Sequence, residues 1–415
     1  MWVRPPPRAR SDVGHVQSRV TTRSSLFPEG RSHTRAPGRP RSWRGTVAKV
    51  RIVEATLARV PLALVGPLHT SSGTHSARSA TLIAVVLDDG SVGWGENVSP
   101  EEDFYTGETS STSVRAMRGD LLGGIVDREF GAPSELDASW WGTTEFPMAR
   151  CAVESAVWDA WCRGRGIALA TALGGSPGDV AVGAVVGLHP SAADTVTEAL
   201  ARVAEGYRHL KLKIARGRDR EVVAAVRDAV GPGASLSVDA NGAYSADDVG
   251  LLAGLAEVGV DLVEQPFAPG DLAASGQLSA TRSVKVGLDE SIMTMCDLDL
   301  ALTAGAVDAV NVKPSRLGGL GAAVGILERC RAEGLDAWIG GMLESGVGRA
   351  AALALATHPA CTLAPDLSAS ARYFEHDVTE PFVLADGRLR VPATAGIGRE
   401  PLSEMITGAA MEALP

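Results

Sequence analysis

The 415-residue sequence lacks the features that mark membrane and secreted proteins. No apolar run reaches the length needed to span a bilayer, and no apolar segment near the start forms a secretory signal. The cysteines are odd in number and scattered, without a Cys-x-x-Cys pair; they are Cys151, Cys162, Cys296, Cys330 and Cys361. We therefore expect reduced, buried thiols in a cytoplasmic protein that does not bind membranes.

An excess of basic residues is also missing. The net charge is −10 and the isoelectric point about 5.4, which argues against a nucleic-acid partner. The exception is residues 1–46, which hold ten Arg and no Lys and carry a charge of about +8. This Arg- and Pro-rich extension is predicted to be disordered and without function, with a transit peptide or a nucleic-acid arm as alternatives.

Five apolar runs between His209 and Pro314 each end in charged residues. They read HLKLKI, LSVDAN, VDLVEQP, VKVGLDES and VDAVNVKP, and they carry Lys211 and Lys213, Asp239, Glu264, Asp289 and Lys313. Lys213, Asp239, Glu264, Asp289 and Lys313 follow one another at intervals of 24 to 26 residues. This period, with helical patterns between the runs, predicts repeated βα units. The strand ends of a (β/α)8 barrel build the active site, so these charges are predicted to meet there.

The order of the strands predicts how these charges are arranged. DVAVGAVVG at residues 179–187 is the predicted first strand, which makes the five runs strands two to six. Neighbouring barrel strands are about 45° apart, so strands two and six lie opposite each other. Lys213 and Lys313 are then predicted to face each other across the mouth, with three carboxylates between them. Because side chains alternate along a strand, Lys211 shares the inward face with Lys213.

Asp239, Glu264 and Asp289 form an oxygen-donor set without His or Cys. Such donors suit Mg²⁺, with Mn²⁺ as an alternative, rather than zinc or copper. Without a cation, three neighbouring carboxylates would repel one another. A partly desolvated lysine near a divalent cation has its pKa lowered toward neutrality and can act as a base. We predict proton abstraction alpha to a carboxylate, with the metal holding the substrate carboxylate and the enediolate that forms.

The motifs K-x-K, D-x-N, E-Q-P, D-E-S and K-P-S-R resemble those of the enolase superfamily, in its muconate lactonizing enzyme subgroup. Within that subgroup, GGMLESGVGRA at residues 340–350 and PLHTSSGTHSAR at residues 67–78 resemble the o-succinylbenzoate synthase and N-acylamino acid racemase family. The resemblance covers about residues 47–398 and implies an α/β fold. It consists of a (β/α)8-type barrel with an N-terminal α+β capping domain that the C-terminal segment completes.

The predicted domain boundaries follow from this resemblance and from the composition. The disordered extension is residues 1–46, the capping domain 47–175, the barrel 176–377 and the returning C-terminal segment 378–415. Predicted capping elements are strands within 47–96 around a turn at Asp88-Asp89-Gly90, and helices at 109–130 and 147–164. Predicted barrel helices are 192–205, 219–230, 246–257, 271–280, 296–304, 319–333 and 346–357. Strands seven and eight are LDAWIGGM and CTLAPDL, and a hairpin is predicted at 379–392.

The resemblance implies a magnesium-dependent o-succinylbenzoate synthase, a dehydratase (carbon–oxygen lyase) of menaquinone biosynthesis. Lys213 would remove the alpha proton, and protonated Lys313 would stabilise the enediolate. The main alternative is an N-acylamino acid (N-succinylamino acid) racemase, in which both lysines take and return a proton; an enzyme with both activities is also open. A dipeptide epimerase, a cycloisomerase and a non-catalytic scaffold are weaker alternatives. The partner is a small-molecule carboxylate, and a homo-oligomer is the default expectation.

Substrate contacts are predicted mainly from the resembled family. Ser71 and Ser72 lie in a polar, Gly-rich segment that is predicted to be a loop closing over the active site; an ordinary solvent loop is the alternative. Glu290 is predicted to support Asp289 from behind. The full set of predicted substrate-binding residues is Lys211, Asn241, Ser71, Ser72, Arg316, Gly341, Met342, Glu344 and Ser345. For Asn241 a plain turn residue is the alternative, and for Arg316 a surface residue.

Overall fold

A computed structural model of the chain describes residues 48–70, 73–102, 107–136, 139–141, 145–407 and 409–414. The predicted extension at residues 1–46, and the predicted substrate residues Ser71 and Ser72, lie outside the described residues. No helix in the described part of the chain is both long and apolar enough to cross a bilayer.

The N-terminal part is built on an antiparallel sheet in the order β13-β1-β2-β3. Its strands are β1 (Ile52–Thr70), β2 (Gly73–Leu87), β3 (Val92–Asn97) and β13 (Ala410–Leu414). The predicted turn between β2 and β3 is confirmed: Gly90 has φ +84°, and its N–H donates to the Leu87 carbonyl at 2.9 Å.

The predicted loop before β2 is wrong where the structure describes it. Residues on both sides of positions 71 and 72 continue the β1–β2 ladder as a long two-stranded ribbon, in which Leu62 pairs with Arg78. A register shift between Ala63 and Leu68 interrupts the ladder. Backbone pairing, together with the buried Leu62 and Leu64, outweighs the polar, Gly-rich composition.

The N-terminal part also contains two helical segments, of which the second, α3, packs on this sheet. Helical structure runs through α1 (Ser110–Ala116), a π-helical turn (Met117–Leu121) and α2 (Leu122–Ile125), and so ends before the predicted residue 130. Helix α3 (Pro147–Gly164) has the predicted bounds. A Cβ atom at Gly93 or Gly95 of β3 would lie 2.1 or 2.0 Å from the α3 backbone, so glycine permits this close packing.

The second part is a parallel seven-stranded sheet whose strands follow chain order, β5 to β11. They are β5 (Ala184–Val186), β6 (His209–Lys213), β7 (Ser235–Asp239), β8 (Val260–Glu264), β9 (Lys285–Leu288), β10 (Ala309–Val312) and β11 (Asp336–Ile339). The helices are α5 (Ala192–Glu205), α6 (Asp219–Val230), α7 (Val249–Ala253, with a 3₁₀ turn on each side), α8 (Leu272–Thr281), α9 (Met295–Thr303), α11 (Leu320–Glu333) and α12 (Gly346–Ala356). The predicted α/β barrel is confirmed, and its predicted helix bounds agree to within one or two residues. The short helix α10 (Pro314–Leu317) was not predicted.

The barrel is closed by an extended segment rather than by a regular eighth strand. In place of the predicted strand CTLAPDL, the Thr362 N–H donates to the Ala337 carbonyl at 3.0 Å, and the Asp366 N–H donates to the Ile339 carbonyl at 3.0 Å. On its other side, the Gly183 N–H donates to the Pro365 carbonyl at 2.8 Å. These bonds join strand seven to strand one without a continuous ladder.

Three further predictions need correction: the first strand, the hairpin and the burial of all the cysteines. The predicted first strand divides into β4 (Gly178–Ala181) and β5, and β4 pairs with β12 (Arg388–Val391) outside the barrel. The predicted hairpin keeps its turn, with Asp386 at φ +49° and Gly387 at +73°. Its second strand is β12, whose ladder partner is β4. Cys296 is exposed, whereas Cys151, Cys162 and Cys330 are buried and all five thiols are free. The remaining short helices are α4 (Leu169–Ala172) and α13 (Ser403–Thr407).

Candidate active site

Five charged side chains stand at the C-terminal ends of consecutive strands. Lys213, Asp239 and Glu264 are the last residues of β6, β7 and β8, while Asp289 and Lys313 follow β9 and β10 by one residue. The three acids are almost fully buried, with 0 to 2% of their surface exposed. We call these five residues the charged arc.

Lys213 lies at one end of the charged arc. Its Nζ donates to Asp239 Oδ2 and to Asn241 Oδ1, both at 2.6 Å, and the Asn241 amide donates to Glu290 Oε1 at 3.0 Å. Burial favours the neutral form of Asp239, but the ammonium groups of Lys213 and Lys211 outweigh it and lower the pKa of Asp239 to about 2. Asp239 therefore stays ionised.

Lys211 lies deeper and joins two strands to the closing segment. Its Nζ donates to Glu264 Oε2 at 2.8 Å and to Asp366 Oδ2 at 2.5 Å. Burial opposes its charge, yet the carboxylates of Asp366 and Glu264 raise the pKa of Lys211 above its usual range. Burial and then the negative charge of Asp239 raise the pKa of Glu264 to about 7.

Two side chains that were not predicted from the sequence bind the carboxylates that Lys211 contacts. The Asn311 amide donates to Glu264 Oε1 at 2.6 Å, and the Trp338 indole N–H donates to Asp366 Oδ2 at 2.9 Å. A Cβ atom at Gly287 would lie 2.9 Å from the Trp338 ring, so the glycine makes room for the indole inside the barrel. These hydrogen bonds offset part of the cost of burying polar groups.

Lys313 ends the charged arc on the other side. Its Nζ donates to Asp289 Oδ2 at 2.8 Å, and Arg316 of α10 binds Asp289 Oδ1. Arg316 is 1% exposed and also donates to the Ile292 and Asn311 carbonyls, at 2.9 and 2.6 Å. Arg316 is therefore a buried residue that holds Asp289, and its contact with substrate stays a prediction.

Helix α3 of the N-terminal part contacts the chain just beyond α10. Glu154 Oε1 accepts from the Gly321 N–H at 2.9 Å and from the Trp158 indole at 3.1 Å. Gly319 has φ +153°, and a Cβ atom there would lie 1.4 Å from Glu154 Oε2. Burial raises the pKa of Glu154 to about 7.

The loop after β11, residues 340–345, carries the remaining predicted substrate contacts; we call it the strand-seven loop. Its Met342 N–H donates to Glu344 Oε1 at 2.7 Å, and Leu343 adopts φ +68°. Burial raises the pKa of Glu344. Gly341 lies beside the closing segment, because a Cβ atom there would be 2.8 Å from the Asp366 carbonyl. The Ser345 hydroxyl donates to Glu96 Oε2 at 2.7 Å.

The donor chemistry of the charged arc fits a hard divalent cation, and Asp239, Glu264 and Asp289 are the residues that would hold it. In the described part of the chain no three His, Cys, Asp or Glu side chains already form a metal-binding group. Each of the three acids instead binds a basic side chain. The raised pKa of Glu264 reflects burial and nearby negative charge, which a bound cation would relieve.

The structure thus gathers Lys211, Asn241, Lys213, Lys313 and the three acids at one end of the barrel. Asn311, Trp338 and Asp366 were missed as members of the site. Asn311 stands within an apolar run, and Trp338 and Asp366 belong to segments predicted only as strands. A polar residue at an inward-facing strand position is the signal that points to Asn311.

A parallel α/β barrel with lysines and carboxylates at its strand ends, joined to an α+β cap, is the architecture of the enolase superfamily. Residues 52–174 match the family described as mandelate racemase / muconate lactonizing enzyme, N-terminal domain. Residues 194–405 match the family described as enolase C-terminal domain-like. A crystal structure of an enolase superfamily member from Listeria innocua superposes with a TM-score of 0.84 at 33% identity, covering 88% of this chain and 99% of that chain.

Curated relatives narrow the family further. The chain is 37% identical over 350 residues to the o-succinylbenzoate synthase of Geobacillus stearothermophilus, covering 84% of this chain and 93% of that protein. It is 38% identical over 354 residues to the N-succinylamino acid racemase of Amycolatopsis sp, covering 84% and 95%. The chain belongs to the enolase superfamily and, within its muconate lactonizing enzyme subgroup, to the o-succinylbenzoate synthase / N-succinylamino acid racemase family.

Proposed function

We propose that this protein is an o-succinylbenzoate synthase, a lyase that removes a proton alpha to a substrate carboxylate and then eliminates water. The observation that carries this proposal is the charged arc, in which two lysines flank three buried carboxylates. Relatives named o-succinylbenzoate synthase, at 33 to 37% identity over most of the chain, support the same reaction.

Enzymes of this superfamily generally depend on a divalent metal, and we propose Mg²⁺, with Mn²⁺ as a substitute, held by Asp239, Glu264 and Asp289. When bound, the cation stabilises the negative charge that develops on the substrate carboxylate as the alpha proton leaves. The hard oxygen donors of the three residues support this choice.

We propose that Lys213 removes the alpha proton. It is the more accessible of the two arc lysines, with 25% of its side chain exposed against 11% for Lys313. Asp239 and Asn241 accept from its Nζ and orient the side chain along the strand. Lys313, held by Asp289, would remain protonated and offer positive charge to the opposite face of the substrate.

Charge balance supports a carboxylate substrate. Four basic groups (Lys211, Lys213, Lys313 and Arg316) contact four acidic groups (Asp239, Glu264, Asp289 and Asp366). With Lys213 neutral as the base, a bound divalent cation would leave an excess of about one positive charge at the mouth. An anionic substrate that becomes more negative as its alpha proton leaves suits this excess.

N-succinylamino acid racemisation is the second candidate, and one observation favours it. The two arc lysines have matching surroundings, since each ammonium donates to a carboxylate of the neighbouring strand toward the middle of the charged arc. The distances are 2.6 Å for Lys213 and 2.8 Å for Lys313. A two-base racemase needs this symmetry, because each enantiomer must meet a base on its own side.

The test offers the dehydration substrate and each N-succinylamino acid enantiomer in D₂O to the wild type, Lys213→Ala and Lys313→Ala. Fast dehydration without amino acid exchange by the wild type is expected of a dedicated synthase. Exchange of opposite enantiomers by the two variants would establish two-base racemisation as well. No dehydration by the magnesium-loaded wild type would refute the proposal.

The metal is tested separately by chelation. Treatment with a chelator should abolish turnover, and added Mg²⁺ or Mn²⁺ should restore it. Full turnover in chelator-treated, metal-free enzyme would contradict the assignment of the three acids as ligands.

A further inference from the structure

Glu96 is a buried carboxylate at the end of β3, far from the charged arc in sequence, and it binds the start of a barrel helix. The Ser345 N–H donates to both of its oxygens at 3.0 Å, and the Ser345 hydroxyl donates at 2.7 Å. The Gly348 N–H donates to Oε2 at 2.9 Å, and Arg78 of β2 forms an ion pair with Oε1 at 2.8 Å. Glu96 itself is 5% exposed.

These bonds replace an ordinary helix cap. Ser345 is the N-cap residue of α12, but its hydroxyl makes no capping bond within its own helix. The free N–H groups of a first helical turn need acceptors, and they favour negative charge. Glu96, from the N-terminal sheet, accepts from the Ser345 and Gly348 N–H groups. Asp377 accepts from the Gly346 N–H at 2.7 Å.

The helix start is continuous with the strand-seven loop. Arg349, in the first turn of α12, donates to the Glu344 carbonyl at 2.8 Å, so the loop is fixed to the helix that Glu96 caps. The room is tight as well: a Cβ atom at Gly348 would lie 2.9 Å from Glu96 Oε2 and 3.0 Å from Glu344 Cβ. The glycine thus lets Glu96 and Glu344 approach the start of α12 side by side.

We infer that Glu96 is a positioning residue of the substrate site: it caps α12 from the neighbouring sheet and so holds the strand-seven loop where it meets the end of the substrate remote from the charged arc. This inference rests on the proposed function for the substrate it invokes. Arg78 completes the arrangement by tying the same carboxylate to the base of the β1–β2 ribbon.

Glu96→Gln tests the inference with little change in shape. An ionised carboxylate only accepts, and here it accepts from four donor groups; a glutamine amide presents its own donors to some of them. We expect KM to rise by roughly tenfold or more with kcat within about threefold, because binding away from the reacting atoms is lost equally in the ground and transition states.

The matched control is Asp159→Asn. Asp159 is equally buried and also binds β3, accepting from the Trp94 N–H at 2.8 Å, but its other partners are Arg163 and the Ile397 N–H. The Asp159→Asn substitution should lower thermal stability and leave KM unchanged. A similar rise of KM in both variants would reduce Glu96 to a general structural role and overturn the inference.

Amide hydrogen exchange gives a readout that needs no substrate and therefore stands apart from the proposed function. Glu96→Gln should speed exchange in peptides covering residues 340–349, and Asp159→Asn should not. Unchanged exchange in Glu96→Gln, or equal acceleration in Asp159→Asn, would refute Glu96 as the residue that holds the loop.

Discussion

At the charged arc, each functional side chain stands at the end of a strand that pairs with its neighbours on both sides. Lys213 and Asp239 are register partners, as are Val312 and Ile339 farther round the barrel. The strand-seven loop is held differently at its far end, where Ser345 donates to Glu96 of another sheet and Arg349 of the following helix donates to the Glu344 carbonyl. The paired strands therefore place the chemical groups, whereas the start of α12 and a carboxylate of the other sheet help to place the groups predicted to select substrate.

The largest effect should separate the two ends of one barrel. Lys213→Ala should lower kcat for dehydration by roughly 10³-fold, because a general base is removed from the reacting proton. The control is Lys285→Ala, whose lysine begins β9 at the opposite end of the barrel and pairs with Asp336 at 2.5 Å. Steady-state kinetics compares kcat of the two variants. An equal loss of kcat in both would mean that the C-terminal strand ends are not the site of the chemistry.

The second effect tests whether the arc holds a metal. Glu264→Gln should weaken Mg²⁺ or Mn²⁺ binding by roughly 100-fold, since a charged oxygen ligand becomes neutral. Asp336→Asn, at the start of β11, should bind the metal like the wild type. Calorimetric titration of chelator-treated protein measures both affinities, and wild-type affinity in Glu264→Gln would exclude this residue as a ligand.

The third effect asks whether the arc is independent of α3. Gly319→Ala should destabilise the protein by about 3 kcal/mol, because the added methyl group meets Glu154 and forces α10 to shift. Arg316 and Lys313 should move with α10, so kcat should fall as well. Gly250→Ala in α7 meets no atom within 4 Å and should stabilise by about 0.5 kcal/mol. Urea unfolding distinguishes the two signs.

The smallest effect is a pH dependence that belongs to α3. The pKa of Glu154 rises from 4.5 to about 7 on folding. The folded protein therefore holds this proton more tightly, and stability falls as the pH rises from about 4.5 through about 7. Between pH 5.5 and 8 the loss should be roughly 2 kcal/mol. Glu154→Gln should remove this loss because an amide does not titrate, and it should keep the fold because both observed bonds go to Oε1. An unchanged slope of unfolding free energy against pH would reject the assignment.

The sequence allowed the arc to be predicted because its information is local. A charge recurs at about 25-residue spacing, and strand pairing converts that spacing into adjacency. The cap of α12 could not be predicted, because Glu96 and Ser345 are 249 residues apart and nothing near either residue indicates the other. The far end of the β1–β2 ribbon was predicted to be a loop because its glycines and serines suggest one, whereas pairing between the two strands decides its structure.

The pairing of β1 with β13 has a consequence for how the chain folds. Ala55 and Leu414 are register partners, so the N-terminal sheet contains a contact that spans almost the whole described chain. Closing so long a loop in an unfolded chain costs conformational entropy, whereas a barrel that has already formed brings the two segments near each other. We therefore expect β13 to join late, after the parallel strands have assembled. Until then β1 presents an unpaired edge, and such an edge can associate with other chains during folding.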